Sequence, residues 1–338
     1  MDKERVYVPV QGSGIRALDR DTGEVVWAES ADTRWPLIVA DGRLFMVLPD
    51  GIRAMEARTG NGLWEHALDR AVSAVPRVYG DLLFVPTEAG NFVVLNAADG
   101  RVAWRRPLGG ALQHSPAFLD DLLIVTTADG RVIALEARTG EVKWERSIPG
   151  TPGAPATARD RVFVGSTNNF FYALDADNGK EAWRWRTGGD VVGAVAAHDR
   201  VYFVSLDNIL RAVNRDNGNQ QWKADVPTRP AAPPLAVGDV IVLTGVAPRI
   251  DAFVGKTGAV LGSYVAPTDL KGLPAIDPDL EPFGVAIVSS MLDGQIIALC
   301  PVRMMLPDPP LGPLLQLPGR ELPPERLPPT SPRETPRR

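Results

Sequence analysis

Three histidines are the residues best suited to metal binding or acid–base chemistry in this 338-residue chain. His66, His114 and His198 lie far apart, and no two of them have the short spacing that zinc ligands use. The single cysteine, Cys300, excludes an intramolecular disulfide and cannot form a thiolate pair around a metal. These residues therefore predict no metal centre.

Three short segments invite other chemistry. The acid-rich segment 175–179 coincides with a turn that recurs along the chain, and 277–279 is too short to surround calcium, which takes roughly six to eight oxygen ligands. Gly12-Ser13-Gly14 is similar to a nucleophile elbow, but it lies between two predicted strands instead of between a strand and a helix. We predict no catalytic, cofactor-binding or metal-binding residue.

The elements that position these side chains come from one repeated unit of about forty residues. Six copies of a motif of the form ALDxxTGxxxW end in a tryptophan, and successive tryptophans lie 37, 40, 40, 39 and 39 residues apart. A seventh copy at 252–262 has Gly262 in place of the tryptophan, and GQIIALC at 294–300 marks an eighth. The six tryptophans are Trp27, Trp64, Trp104, Trp144, Trp183 and Trp222.

Each unit is predicted to form four short β-strands, A to D in chain order, separated by glycine, aspartate or asparagine. A tight turn between strands C and D needs a residue with positive φ, which glycine adopts without steric cost. The glycines predicted to serve this turn are Gly23, Gly60, Gly100, Gly140, Gly179, Gly218 and Gly258. The tryptophans share one position on strand D and are predicted to pack between adjacent sheets.

A sheet with two apolar faces cannot bury both alone, so neighbouring sheets must cover each other, and a circular array leaves no face uncovered. We therefore predict an all-β chain that forms a β-propeller of about eight four-stranded blades over residues 1–302, with seven blades as the alternative. The first blade is predicted to be incomplete. Residues 303–338 are rich in proline and are predicted to be a disordered tail, either a spacer or a docking segment.

The repeat resembles the pyrroloquinoline-quinone-type propeller repeat, and its six tryptophan-bearing copies carry the resemblance over about residues 5–300. That family contains quinoprotein dehydrogenases, which oxidise alcohols or sugars with quinone and calcium, and non-catalytic BamB-like scaffolds. Large alcohol-oxidising members carry two adjacent cysteines, which Cys300 alone cannot supply. The resemblance therefore implies a non-catalytic scaffold that binds a protein or a ligand and has no cofactor, and a quinoprotein dehydrogenase is the alternative.

Binding residues are expected on the propeller face formed by the B–C and D–A loops, because loops vary without disturbing the core. Trp35 lies outside the repeated position, so it is either folded back on its blade or an exposed anchor for a partner. His114 is predicted to line the channel or the surface. The candidate partner-binding residues are Arg34, Trp35, His114, Asn168, Asn169 and Phe170.

Composition restricts the partners and the compartment. A net charge of -5 disfavours nucleic acid, and no apolar run is long enough for a transmembrane helix. We expect protein partners and a monomeric propeller. Because the first unit starts in its middle, we expect an upstream segment and a periplasmic or cell-envelope protein, whereas Met1 as the true start predicts a cytoplasmic one.

Overall fold

The structure is a computed structural model. It describes residues 4–10, 14–31, 33, 35–266, 270–277, 286–291 and 296–299, the last three ranges through their backbone. Ser13, Arg34, Cys300 and the predicted tail 303–338 lie outside the described residues. The division of the chain into a propeller and a tail therefore stays a prediction.

Consecutive strands pair antiparallel in eight described sheets, which we number as blades 1 to 8. Blade 1 comprises β1 (Arg5–Val10), β2 (Gly14–Asp19) and β3 (Val25–Glu29). Blade 2 comprises β4 (Ile38–Ala40), β5 (Arg43–Leu48), β6 (Gly51–Glu56) and β7 (Gly62–Ala67). Blade 3 comprises β8 (Arg77–Tyr79), β9 (Leu82–Thr87), β10 (Asn91–Asn96) and β11 (Val102–Pro107). Blade 4 comprises β12 (Ala117–Leu119), β13 (Leu122–Thr127), β14 (Arg131–Glu136) and β15 (Val142–Ser147).

The second half of the chain continues the pattern. Blade 5 comprises β16 (Ala156–Ala158), β17 (Arg161–Ser166), β18 (Phe170–Asp175) and β19 (Glu181–Arg186). Blade 6 comprises β20 (Val191–Ala197), β21 (Arg200–Ser205), β22 (Ile209–Asn214) and β23 (Gln220–Asp225). Blade 7 comprises β24 (Leu235–Val237), β25 (Val240–Thr244), β26 (Arg249–Val254) and β27 (Val260–Val265). Blade 8 comprises β28 (Leu270–Asp277), β29 (Ala286–Met291) and β30 (Ile296–Leu299).

Each four-stranded blade is a meander, so its strands correspond to A, B, C and D in chain order. Blade 1 has strands B, C and D, as predicted, and blade 8 has A, B and C. The described residues contain one short 3-10 turn, Glu88–Gly90, and no α-helix. No described helix has the length and apolar character required to traverse a lipid bilayer.

The hydrophobic core lies between the blades. From blade 2 to blade 7, strands B and C are almost entirely buried, because both faces of these sheets contact a neighbour. The core between blades 3 and 4, for example, joins Phe84 and Phe92 to Leu123 and Leu135. Equivalent clusters join each successive pair of blades from 1 and 2 to 6 and 7. The described residues therefore form an all-β propeller fold of eight consecutive sheets, six of them four-stranded, and the predicted fold class is confirmed.

Candidate binding face

The tryptophans of strand D reach across each blade interface to the C–D turn of the next blade. Trp104, for example, donates its indole N–H to the carbonyl oxygen of Ala137 at 2.9 Å. The same bond joins Trp27 to Ala57, Trp64 to Ala97, Trp144 to Ala176, Trp183 to Arg215 and Trp222 to Gly255. Trp144 and Trp222 are buried, and the other four are half-buried, because strand D is the outermost strand of its blade.

The turn glycines have a second role that the sequence did not reveal. All seven have positive φ, which explains why glycine is needed at the turn. At Gly100, a Cβ atom would also lie 2.5 Å from Cε3 of the Trp64 indole. The tryptophan of the preceding blade covers Gly60, Gly140, Gly179, Gly218 and Gly258 in the same way. The repeat residues are thus engaged in joining one blade to the next.

Antiparallel meanders place the two kinds of loop on opposite faces. The A–B and C–D turns lie on one face, and the B–C turns and the D–A connections lie on the other, which we call the loop face. A–B turns are short, as at Asp120 and Asp121. D–A connections are longer and differ in sequence from blade to blade, as in 30–37 and 108–116. Side chains that vary between blades are therefore concentrated on the loop face.

A buried serine or threonine ends strand B in five of the described blades. In blades 3, 4 and 6 its hydroxyl bonds a residue of the following B–C turn or strand C, and in blade 5 it bonds the D–A connection. Thr127 donates its hydroxyl to Asp129 at 2.5 Å, and Ser166 donates to the carbonyl oxygen of Pro149 at 2.7 Å. The five residues are Thr87, Thr127, Ser166, Ser205 and Thr244. The signal was present in the sequence as a serine or threonine that recurs at the end of the second strand in blades 3 to 7.

Asp207 is the best-partnered carboxylate of the loop face. It accepts hydrogen bonds from Ser205 at 2.6 Å, from Arg211 at 2.6 Å and from the backbone N–H of Gly188 at 3.0 Å. Burial alone would raise the pKa of Asp207, but these hydrogen bonds and the positive charge of Arg211 lower that pKa to about 2. The carboxylate therefore stays ionised near neutral pH and stabilises a turn. A general acid or base would instead need a pKa near the working pH.

The candidate residues Asn168, Asn169 and Phe170 form the B–C turn of blade 5. Asn168 accepts a hydrogen bond from the backbone N–H of Phe170 at 3.1 Å and donates to the hydroxyl of Tyr172 at 2.6 Å. Asn169 has a φ of 65°, a conformation that asparagine tolerates well. The guanidinium of Arg184 lies 5.3 Å from the centre of the Phe170 ring. This turn presents a half-buried aromatic ring with a cation on it.

Trp35 and His114 are also half-buried. Trp35 packs against the core between blades 2 and 3, next to residues such as Val47 and Val72, and its backbone N–H is 3.4 Å from the Thr33 hydroxyl. Burial lowers the pKa of His114 below its ordinary value of 6.5, so its imidazole is neutral at neutral pH. The structure thus places the Trp35 indole back against the propeller, where it is only partly accessible.

The candidate residues occupy separate places on the loop face. Trp35 belongs to the connection from blade 1 to blade 2, and His114 to the connection from blade 3 to blade 4. The 168–170 turn belongs to blade 5. A partner that contacts all of them would have to cover several blades.

The residues with potential for chemistry are equally dispersed. His198 lies 3.3 Å from Asp239 on the opposite face, at exposed turns of blades 6 and 7, and His66 lies on β7. The acid-rich segment 175–179 is the C–D turn of blade 5, where Asp175 accepts a hydrogen bond from the backbone N–H of Asp177. Over the part of the chain that the structure describes, no three histidine, cysteine or acidic residues are arranged to hold a metal ion.

Several solved structures share this fold. BamB from Moraxella catarrhalis superposes with a TM-score of 0.66 at 17% identity, over 80% of this chain and 84% of that one. The computationally designed Ika8 protein has a TM-score of 0.77 at 15% identity and covers 88% of this chain and 93% of its own. A quinohemoprotein alcohol dehydrogenase from Pseudomonas putida HK5 has a TM-score of 0.64 at 14% identity, over 85% and 68% of the two chains. These identities are low enough that the similarity concerns the fold alone.

The search of curated proteins returned no significant match to the sequence. A family model described as outer membrane protein assembly factor BamB matches residues 49–152 and 146–276, which together are more than half of the chain. These ranges contain the tryptophan-to-turn links from blade 2 to blade 7. The chain therefore belongs to the BamB family of pyrroloquinoline-quinone-type repeat propellers.

Proposed function

We propose that this protein is a non-catalytic scaffold that binds a protein partner through its loop face, in the periplasm or elsewhere in the cell envelope. One observation carries the proposal. The repeat residues are used to join blades, whereas the D–A connections and B–C turns carry half-exposed aromatic and polar side chains that no repeat position requires. Membership of the family described as an outer membrane assembly factor supports an envelope role.

The binding test compares the two faces. Purified chain is immobilised and incubated with an envelope extract, and retained proteins are identified by mass spectrometry. Phe170→Ala combined with His114→Ala should remove specific partners, because both side chains lie on the loop face. The matched control is Lys180→Ala, which changes an exposed residue in the C–D turn of blade 5 on the opposite face. Equal loss of partners in both variants would contradict the loop-face proposal.

A quinoprotein dehydrogenase is the second candidate, since a quinohemoprotein alcohol dehydrogenase shares the fold over 85% of this chain. The scaffold proposal predicts no dye-linked oxidation of alcohols or sugars when the chain is supplied with pyrroloquinoline quinone and calcium. It also predicts no tight binding of the quinone by absorbance titration. Turnover above that of the free quinone would replace the scaffold proposal with the dehydrogenase.

A further inference from the structure

A cavity of about 320 Å³ opens at the junction of blades 2 and 3, at the rim of the loop face. The start of the connection from blade 2 to blade 3 forms one wall, through Leu68, Asp69 and Arg70. The end of strand β11 forms the other wall, through Arg105, Arg106 and Pro107. Phe92 and Val93 give the floor an apolar part, beside the polar Thr87 and Asn91. Phe92 is only 1% exposed and stacks on Trp104. We call this cavity the arginine groove.

Charge in the arginine groove is unbalanced. Arg105 forms an ion pair with Asp69, with 2.8 Å between Nη1 and Oδ2. The guanidinium groups of Arg70 and Arg106 have no hydrogen bond or ion pair with any described residue. Three arginines against one aspartate leave an excess of positive charge in a protein whose net charge is -5. The groove is thus a local positive site on an acidic chain.

The repeat does not account for this arrangement. Arg70 lies six residues after the strand-D tryptophan, where the other connections have Thr33, Gly110, Gly150, Gly189 and Thr228. The residue at the strand position equivalent to Arg106 is His66 in blade 2, Trp185 in blade 5 and Ala224 in blade 6. Blade 4 has Arg146 there, but a glycine, Gly110, stands in place of Arg70 in the connection that leads into this blade. Arginines at both positions of one junction, around a cavity, therefore need a local explanation.

We propose that the arginine groove binds an acidic peptide segment of a protein partner. Guanidinium groups pair with carboxylates in a planar, bidentate geometry, and Arg70 and Arg106 are both available for this. Leu68 and Pro107 offer apolar surface for the side chain between two acidic residues. This inference deepens the proposed scaffold function by giving the chemistry of one partner segment, and it rests on that function.

The test uses the full chain and a defined probe. The probe is a fluorescein-labelled ten-residue peptide of alternating glutamate and leucine, and the reference is the same peptide with glutamine. Fluorescence anisotropy should show binding of the glutamate peptide that weakens from 50 to 300 mM salt, whereas the glutamine peptide should bind about tenfold more weakly or worse. Equal affinity for the two peptides would overturn the proposal.

Matched substitutions locate the binding. Arg70→Gln combined with Arg106→Gln should reduce affinity for the glutamate peptide about tenfold. Arg146→Gln, at the equivalent strand position of blade 4, should leave it unchanged. Asp69→Asn should raise affinity about two- to threefold, because it frees Arg105 from its ion pair. Circular dichroism and thermal unfolding verify that each variant is folded.

Three outcomes would contradict the proposal. The first is that the double variant binds the peptide as tightly as the unchanged chain. The second is that Arg146→Gln loses as much affinity as the double variant. The third is that inorganic phosphate at equal concentration displaces the peptide, which would indicate a simple anion site. Failure of the groove is distinguishable from failure of the scaffold function. Quinone-dependent turnover would contradict the scaffold function, whether or not the peptide binds. If the double arginine variant still retains envelope proteins, the scaffold function stands even though the groove does not bind the partner.

Discussion

Trp144 in blade 4 donates its indole N–H to the carbonyl oxygen of Ala176 in blade 5, with 2.6 Å between the two heavy atoms. The same indole covers Gly179, three residues further along that turn. One side chain therefore satisfies a turn carbonyl and fills the space above a glycine in the neighbouring sheet. This relationship recurs from blade to blade and gives the propeller its main specific contact between sheets.

Replacing this indole should separate the contribution of the ring from that of its N–H. Trp144→Phe should lower the free energy of unfolding by about 1 to 2 kcal/mol, because the carbonyl of Ala176 loses its hydrogen bond while most of the ring contact stays. Trp144→Ala should cost about 3 to 5 kcal/mol. Urea unfolding followed by circular dichroism measures both, with the exposed Val142→Ala as control. Equal losses for Phe and Ala would contradict the role of the ring.

The turn glycines allow backbone strain to be distinguished from the contact with tryptophan. Gly23 and Gly100 both have a φ of 72°, but a Cβ at Gly23 would meet nothing within 4 Å among the described residues, whereas at Gly100 it would meet the Trp64 ring. Gly23→Ala should therefore cost about 1 to 2 kcal/mol from φ alone. Gly100→Ala should cost about 3 kcal/mol or more. Similar losses of unfolding free energy in the two variants would contradict the steric explanation.

Stability should fall at acid pH through Asp207. Its pKa is about 2 in the folded protein, below the usual value of 3.8, so the unfolded chain binds a proton more readily. The stabilisation is therefore complete above about pH 5 and is lost as pH falls from about 4 towards 2, by about 2 kcal/mol in total. Denaturant titrations at pH 6 and pH 3 measure it. Asp207→Asn should be destabilised at pH 6, and its difference from the unchanged chain should shrink at pH 3.

His114 should contribute a separate loss at milder acidity. Burial lowers its pKa below 6.5 in the folded protein, so stability is complete above that value and falls as pH drops through it, when the unfolded chain takes up the proton first. His114→Gln should flatten the dependence of unfolding free energy on pH between about 7 and 5. An unchanged slope in this variant would show that the imidazole is accessible to solvent.

The fold could be predicted almost completely because its determinants are local and repeated. A glycine such as Gly140 at the turn position predicts a positive φ, and the spacing of the tryptophans predicts the length of one blade. The partner of each tryptophan was harder to predict. Trp104 and the Ala137 carbonyl belong to different units, and only the packing of one blade on the next brings them together.

The candidate site was less predictable because exposure depends on packing. Trp35 differs from the repeat, yet its ring lies against the core between blades 2 and 3. Arg70 and Arg106 are ordinary surface residues in the sequence, and only the path of one connection past strand β11 places them around one cavity. The hydroxyls at the ends of strands B had a visible period, but the structure was needed to show which loop each one bonds, as with Ser166 and the carbonyl of Pro149.

The links between blades run in one direction, since each tryptophan contacts the blade that follows it. Blade 7 has Gly262 at this position and so offers no indole to blade 8, while the turn at Gly23 in blade 1 receives none from the described residues. Amide hydrogens in β27 should therefore exchange with deuterium sooner than those in β15. Native-state opening should start at blade 7, which is the last blade joined to its predecessor by a tryptophan, and should proceed towards blade 1.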